Sequence, residues 1–436
     1  MKKRTWILVM LVLLGVVTFL DRINISVAGS AIMRDLNISP DQWGWILSAF
    51  ILSYGLMQIP MGALGDRRGH RATLALIVLW WSAFTLFTGM AGGFVGLLLI
   101  RLMFGVGEAG SSPCSTGVIS RWFPKEKVGR AQGFVWAASR MGGALTPFIV
   151  IPVIASLGWR AAFYILGAVG VVWALVWFLF YRNNPSQMKG ITAEELAEAP
   201  AAKLYASAEA AGGASVGAAR GHSEISAAEP KVKIPWGQLL RARQFWLLLT
   251  MYFFYAFGSW FFFSWFPTFM ELGRGFDKDQ LTYAIAAPFV MSMIGNISGG
   301  YLTDHLAARY GLKVGRKALG SGALILSALF MFLAAFIPGK LQVFIFLSLC
   351  FGVVDLMLPS AWALCIDLGK KYAGALSGAM NTAGNLGGFV CATVFGYLVK
   401  ATGNYNLPLF LIAGMLVISA VLFLFIDPTR QIIRDE

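Results

Sequence analysis

Four ionisable residues interrupt the apolar stretches in the first part of this sequence. Asp21 and Arg22 fall in the run from Trp6 to about Val27, and Arg101 and Glu108 fall in the run 95–118. A charge in the middle of a hydrocarbon-length helix costs about 2.5–3.5 kcal/mol on insertion scales, and such residues mark solute, ion or proton pathways. The chemistry open to this set is narrow. A carboxylate held against an arginine stays ionised, whereas one isolated among apolar groups favours its protonated form. An anion that engages the arginine removes the carboxylate's partner, so proton uptake becomes easier and the two events are coupled. Arginine suits a carboxylate cargo because its planar fork meets both oxygens. The other reading of the set is a group of satisfied ion pairs that fixes helix packing.

Depth arranges these four residues. Asp21 lies about 22 Å from the start of its helix at 1.5 Å per residue, and Arg101, on a helix running the other way, lies about 9 Å from the opposite surface. In a hydrocarbon core of about 30 Å the two reach similar depth. Glu108 is seven residues further along the face that carries Arg101, about 10 Å deeper. The expectation is an outer Asp21–Arg101 pair, a deeper Glu108, and Arg22 within reach of both as the anion anchor.

The elements that must hold these groups are membrane helices. Of 436 residues, 58% are hydrophobic and only 13% charged, and the mean hydropathy is +0.69. A soluble domain carries about 25% charged residues. At about 20 residues per crossing, the apolar runs read as twelve spans, near 6–28, 43–64, 73–93, 95–118, 130–155, 159–181, 243–269, 281–304, 317–337, 341–366, 372–398 and 405–426. The first is too long for a signal-peptide core. Between the sixth and seventh lies an Ala-, Glu-, Gly- and Ser-rich stretch with Pro185, Pro200, Pro230 and Pro235. It reads as a partly disordered linker. The organisation is a six-helix bundle over 1–182, a linker over 183–240 and a second six-helix bundle over 241–436.

The net charge of +14 is spread over alternate loops, which speaks for topology and against a nucleic-acid patch. With the N-terminus inside, the short inner segments hold eighteen Lys and Arg and the outer loops six. Both termini are therefore expected in the cytoplasm. Cys114, Cys350, Cys365 and Cys391 all sit in apolar runs without metal or redox spacing, and neither a cofactor nor a metal is expected. His70, His222 and His305 read as loop or linker residues, and no nucleotide loop or nucleophile–base pair points to an enzyme.

One device occurs twice. Gly62-Ala-Leu-Gly-Asp66-Arg67-Arg68-Gly69-His-Arg71 joins spans 2 and 3, and Gly300-Tyr-Leu-Thr-Asp304 followed by Gly315-Arg316-Lys317 joins spans 8 and 9. The repeat is what two related six-helix halves produce. The first copy resembles the signature loop of the major facilitator superfamily, and the resemblance extends over the chain apart from linker and tails. It implies an all-α fold of twelve transmembrane helices in two pseudo-symmetric bundles. It also implies a gating role for Asp66, Arg67, Arg71 and Asp304, with Asp66 and nearby arginines latching the cytoplasmic ends of the halves.

A narrower resemblance rests on Phe19-Leu-Asp21-Arg22-Ile-Asn24, on Arg101-Leu-Met-Phe-Gly105-Val-Gly107-Glu108-Ala-Gly110, on Trp265-Phe-Pro267 and on Asn381-Thr-Ala-Gly384-Asn385-Leu-Gly387-Gly388. These are similar to motifs of the anion:cation symporter family, which includes bacterial sugar-acid carriers, sialin and the vesicular glutamate transporters. The resemblance implies proton carriage by Asp21 and Glu108 and substrate binding by Arg22. Arg101 is the further arginine candidate. Tyr54 matches a substrate-contact position, and Gln58 follows one turn on; either faces substrate or packs. Asn381 and Asn385 either hydrogen-bond the hydroxyls of a polar substrate or hold helices together.

Two features depart from the sugar-acid pattern. Ser139-Arg140 stands where those carriers tend to have an uncharged amide, and Phe19 stands where they can have tyrosine. Arg140 either adds a second positive contact, favouring a larger or more acidic substrate, or pairs with a carboxylate. Asp355 is either a further proton site or that partner. The expectation is a monomeric, lipid-embedded importer in a bacterial inner membrane, taking a small organic anion, a hexonate or hexuronate first, with protons. A drug or metabolite efflux antiporter of the same fold and a sodium-coupled carrier remain open alternatives.

Overall fold

The computed structural model describes residues 2–200, 202 and 236–432. Most of the linker read at 183–240, with His222, Pro230 and Pro235, and the tail beyond 432, with Arg434, lie outside these residues. Eleven helices are long and apolar enough to cross a membrane. One of them, Lys278–Phe336, is 59 residues long and turns at Gly311, whose φ of 82° is a left-handed conformation that glycine adopts without strain. It is two spans, which makes twelve.

The spans are α1 (Lys3–Val27), α2 (Pro40–Arg68), α3 (His70–Met90), α4 (Phe94–Trp122), α5 (Lys125–Leu157), α6 (Trp159–Phe180), α7 (Arg243–Ser264), α8 (278–310), α9 (312–336), α10 (Lys340–Gly369), α11 (Ala373–Thr402) and α12 (Leu407–Phe425). Their even number returns both termini to one end of the bundle, here called the terminal end. The first six spans pack mainly on one another, as do the last six, and the two groups meet along α2 with α11 and α5 with α8.

Several sequence expectations need correction. His70 is not a loop residue: it opens α3 and is buried. The fourth span reaches Trp122, with a break at Ala109–Gly110, and the tenth breaks at Met357 before Leu358-Pro359. Residues 183–200, within the stretch read as a partly disordered linker, include short helical segments. Thr192 caps a short helix, Ala193–Glu198, which docks on the start of α1. There the Glu195 carboxylate accepts from the Lys3 amide at 3.0 Å and the Arg4 amide at 2.5 Å, and Glu198 pairs with Arg4. The first N–H groups of a helix have no partners within it, and an anion there is favoured by the helix dipole. This anionic cap is what the composition of the segment did not convey.

At the end opposite the termini the two halves are sealed. Ser26 donates to the Phe263 carbonyl at 2.7 Å, and Ser48 contacts the Thr393 hydroxyl at 2.7 Å and the Phe389 carbonyl at 3.0 Å. Lys400 pairs with Asp41 at 2.9 Å, and Arg34 and Ser30 both bond Glu271. The α2 and α11 backbones approach closely there: a Cβ at Gly44 would sit 2.7 Å from the Ala392 carbonyl oxygen, and one at Gly396 would sit closer still to that of Pro40.

Candidate functional site

Between the halves lies a cavity of about 170 Å³, lined by α1, α2, α4 and α5 on one side and α7, α10 and α11 on the other. It reaches from Arg22 and Arg140 toward the terminal end, past Ser115, Gln132 and Trp362. Trp136, on that route, is 49% exposed. A second cavity of about 360 Å³ adjoins it between α5, α8 and α10 and shares Trp136, Arg140 and Trp362 with it.

Arg22 enters the cavity wall from α1. Its Nε donates to Glu108 Oε1 at 2.9 Å, and its Nη2 bonds the same oxygen. The Arg22 side chain is 11% exposed and Glu108 is fully buried behind it. Close packing of α4 on α2 brings Glu108 there: Gly105 lies so near α2 that a Cβ would sit 2.7 Å from the Phe50 carbonyl oxygen. The guanidinium stands over the rings of Tyr54 at 4.7 Å, Phe19 at 5.0 Å and Phe50 at 5.4 Å, contacts that stabilise a desolvated cation. Glu108 Oε2 has no hydrogen-bond partner.

The expected Asp21–Arg101 ion pair is not formed. Asp21 is 2% exposed and neither of its oxygens has a hydrogen-bond partner. Arg101 is equally buried, does not line the main cavity, and stacks on Phe104 at 4.5 Å and on Phe50 at 4.7 Å. Equal depth was right as arithmetic but says nothing of direction about the helix axis. The Phe50 ring is shared by both cations, with Arg22 at 5.4 Å and Arg101 at 4.7 Å from its centroid.

Arg140 of α5 lines the same cavity and pairs with Asp355 of α10 at 2.8 Å, across the two halves. Asp355 is fully buried and also accepts from the Ser292 and Tyr255 hydroxyls. Of the two readings left open by the sequence, the geometry has Arg140 both facing the cavity and holding a carboxylate. Tyr54, Ser139, Asn381 and Asn385 line the cavity, although the Ser139 hydroxyl donates to its own helix at Val135. Gln58 does not line it. It accepts from Asn381 at 2.5 Å and so ties α2 to α11, while Asn385 donates to the Asn381 carbonyl at 3.0 Å.

A family model described as Major Facilitator Superfamily matches residues 11–392. The chain belongs to the major facilitator superfamily. Among curated proteins this facilitator is 34% identical to the "Probable sulfoacetate transporter" of Cupriavidus necator, over 98% of its own chain and 94% of the relative. It is 28% identical to the "Probable L-galactonate transporter" of Escherichia coli, over 99% and 90%, and 28% identical to the "Hexuronate transporter" of Bacillus subtilis, over 97% and 94%. Among solved structures it resembles a bacterial homologue of the lysosomal transporter Spinster in an inward-facing, occupied conformation. The TM-score there is 0.76 at 19% identity, over 96% of both chains; that likeness speaks to the fold. These relatives are transporters, not enzymes.

Where the signature-loop residues of this facilitator have partners, these lie in their own half. Asp66 is largely exposed, and among the described residues its one ion-pair contact is with His70, at 3.8 Å. Arg67 is exposed without an ion pair among the described residues. Arg71 donates to the Phe178 carbonyl at 2.9 Å and stacks on the Phe178 ring. Asp304 meets Arg316 at 3.4 Å, and Arg316 also holds Asp367 at 3.2 Å. No latch joins the halves at the terminal end among the described residues, which agrees with a cavity open there. Reading the sequence missed the wall from the second half, Tyr252, Tyr255, Ser259, Trp260, Phe263 and Trp362. With 34 Phe and 15 Trp in the chain, aromatic residues carried no usable signal.

Proposed function

We propose that this facilitator imports a small organic anion together with protons, by alternating access between its two halves. The observation that carries the reading is Arg22 in the cavity wall, held by a fully buried Glu108 that does not itself line the cavity. An incoming carboxylate or sulfonate competes with Glu108 for the guanidinium. Once displaced, Glu108 is a fully buried acid that has lost its hydrogen-bonded cation, a change that favours its protonated form. Asp21, buried without a hydrogen-bond partner, is the second proton-carrying candidate. Relatives named for sulfoacetate, galactonate and hexuronate support an anionic cargo.

The excess of Lys and Arg at the terminal end supports a cytoplasmic placement of both termini, so the cavity faces the cytoplasm in this conformation. A bacterial inner membrane and a monomer complete the reading. In it, Asp66, Arg67, Arg71 and Asp304 join the halves at the terminal end in the opposite state, while Tyr54, Ser139 and Asn385 contact the cargo.

Uptake into proteoliposomes tests this directly. Labelled hexonates, hexuronates and sulfonates are expected to accumulate when the outside is acid, and to stop when a protonophore collapses the gradient. Uptake that follows a sodium gradient and ignores pH would overturn the proton coupling. Failure of every anion in the panel to accumulate would overturn the reading itself.

A further inference from the structure

Resting on the anion-carrier reading above, we propose that the cavity is a two-headed site for a short dianion, an acid with a carboxylate or sulfonate at each end. Arg22 is one head and Arg140 the other.

The charge of the lining is the first ground. Among the described residues that line the cavity, Arg22 and Arg140 are the only charged ones, so this lining carries two positive charges and no negative one. The two guanidiniums stand over adjoining rings: Arg22 is 5.0 Å from the Phe19 centroid, Arg140 is 5.3 Å from that of Phe263, and the rings meet edge to face at 6.1 Å. One small molecule in a cavity of about 170 Å³ has both within its surroundings. Guanidinium forks recognise planar or tetrahedral oxyanions in two-point fashion.

The second ground is that the same device is built twice. Each arginine is held from behind by a fully buried carboxylate that does not line the cavity, Glu108 for Arg22 and Asp355 for Arg140. Each carboxylate occupies the place that an external oxyanion would take. Arg140 Nη1 is buried without a partner, so this head holds an unused donor. Asp355 keeps the Ser292 and Tyr255 hydroxyls when Arg140 turns away.

The heads differ in where their carboxylates sit. Arg22 and Glu108 both belong to the first six spans, whereas the Arg140–Asp355 pair joins α5 to α10 across the moving interface. An anion with one acidic group satisfies Arg22 and leaves this joint made. A dianion satisfies both arginines and opens it. The second acidic group therefore reports that the correct cargo is aboard.

The test uses matched probes on the full chain in nanodiscs. Sulfoacetate and isethionate share a two-carbon sulfonate skeleton and differ by a carboxylate in place of a hydroxymethyl group; galactarate and galactonate differ in the same way. In the parent protein the dianion of each pair is expected to bind at least tenfold tighter, by calorimetry. In R140Q the gap should close to within twofold while the monoanion affinity holds. Because R140Q leaves Asp355 buried without its cation, the double variant R140Q/D355N, which strands no charge, is measured beside it and should also close the gap. Equal binding of the two members in the parent, or an undiminished gap in the double variant, overturns the two-headed site and leaves the anion-carrier reading standing. Binding of no organic anion overturns both.

Discussion

Replacing Glu108 by glutamine separates holding the cargo from driving it. In the structure Arg22 spends two hydrogen bonds on one Glu108 oxygen. Glutamine keeps an acceptor for the guanidinium, which stays charged, but removes the opposite charge, an attraction of about 4 kcal/mol for unit charges about 4 Å apart at an effective dielectric of about 20. The competitor that an anion must displace is therefore weaker, and anion affinity should rise at least about tenfold, which is about 1.4 kcal/mol. Accumulation should fail at the same time, because the amide takes up no proton. Calorimetry at neutral pH reads the first effect. Proteoliposome uptake with and without a pH gradient reads the second, and counterflow exchange should persist. Weaker binding in Glu108→Gln, or accumulation equal to the parent's, would refute the displacement argument.

Further outcomes follow from other contacts. Asp21→Asn removes a charge that has no hydrogen-bond partner to lose, so its thermal midpoint in detergent should stay within a few degrees of the parent while gradient-driven accumulation drops at least tenfold. Asp66→Ala should leave anion affinity in this conformation unchanged, because the one ion-pair contact of Asp66 among the described residues is with His70, yet slow exchange several-fold; an unaltered exchange rate would remove it from the gate. Gly44→Val should wedge the seal, since its Cβ would meet the Ala392 carbonyl, and cysteine labelling from the far side should then reach the cavity without cargo. Asp427, beyond the last span, is partly shielded from water, which opposes its charge, but Thr429 and Lys313 outweigh this and hold its carboxyl down at about 2. A lowered value means stability that is full above the ordinary carboxylate range and lost as pH falls toward 2. Asp427→Asn should therefore unfold at lower temperature than the parent at pH 7, and the difference should shrink between pH 4 and pH 2.

Hydropathy made the spans legible, because lipid demands about 20 apolar residues whatever the packing. The repeated signature loop made the two-half organisation legible. The charged run from Asp304 to Lys317 marked the turn between spans 8 and 9, but not that helix continues to both sides of it and reverses on Gly311 alone. Depth along a helix was also legible, since rise per residue is fixed. Direction was not. Asp21 and Arg22 are neighbours in sequence, but successive helical residues point about 100° apart. The outcome, Arg22 on Glu108 and Asp21 without a hydrogen-bond partner, depends on which face of α1 meets α4. Likewise Asp355 could be seen as a buried acid, but its pairing with Arg140 depends on α5 and α10 meeting across the halves.

The interiors of the described spans hold three arginines, Arg22, Arg101 and Arg140, and three acids, Asp21, Glu108 and Asp355. When all six are ionised, three minus three leaves the empty core electrically neutral. Moving one unit charge through the membrane field costs or yields about 2.3 kcal/mol per 100 mV. The return stroke of the empty carrier moves none, so its rate should be blind to voltage. In the proposed proton symport, voltage then acts on the loaded stroke alone, through the protons taken up minus the charges of the cargo. Current recorded across a planar bilayer during uptake would vanish for a dianion carried with two protons and run inward with three, which turns an electrical sign into a proton count.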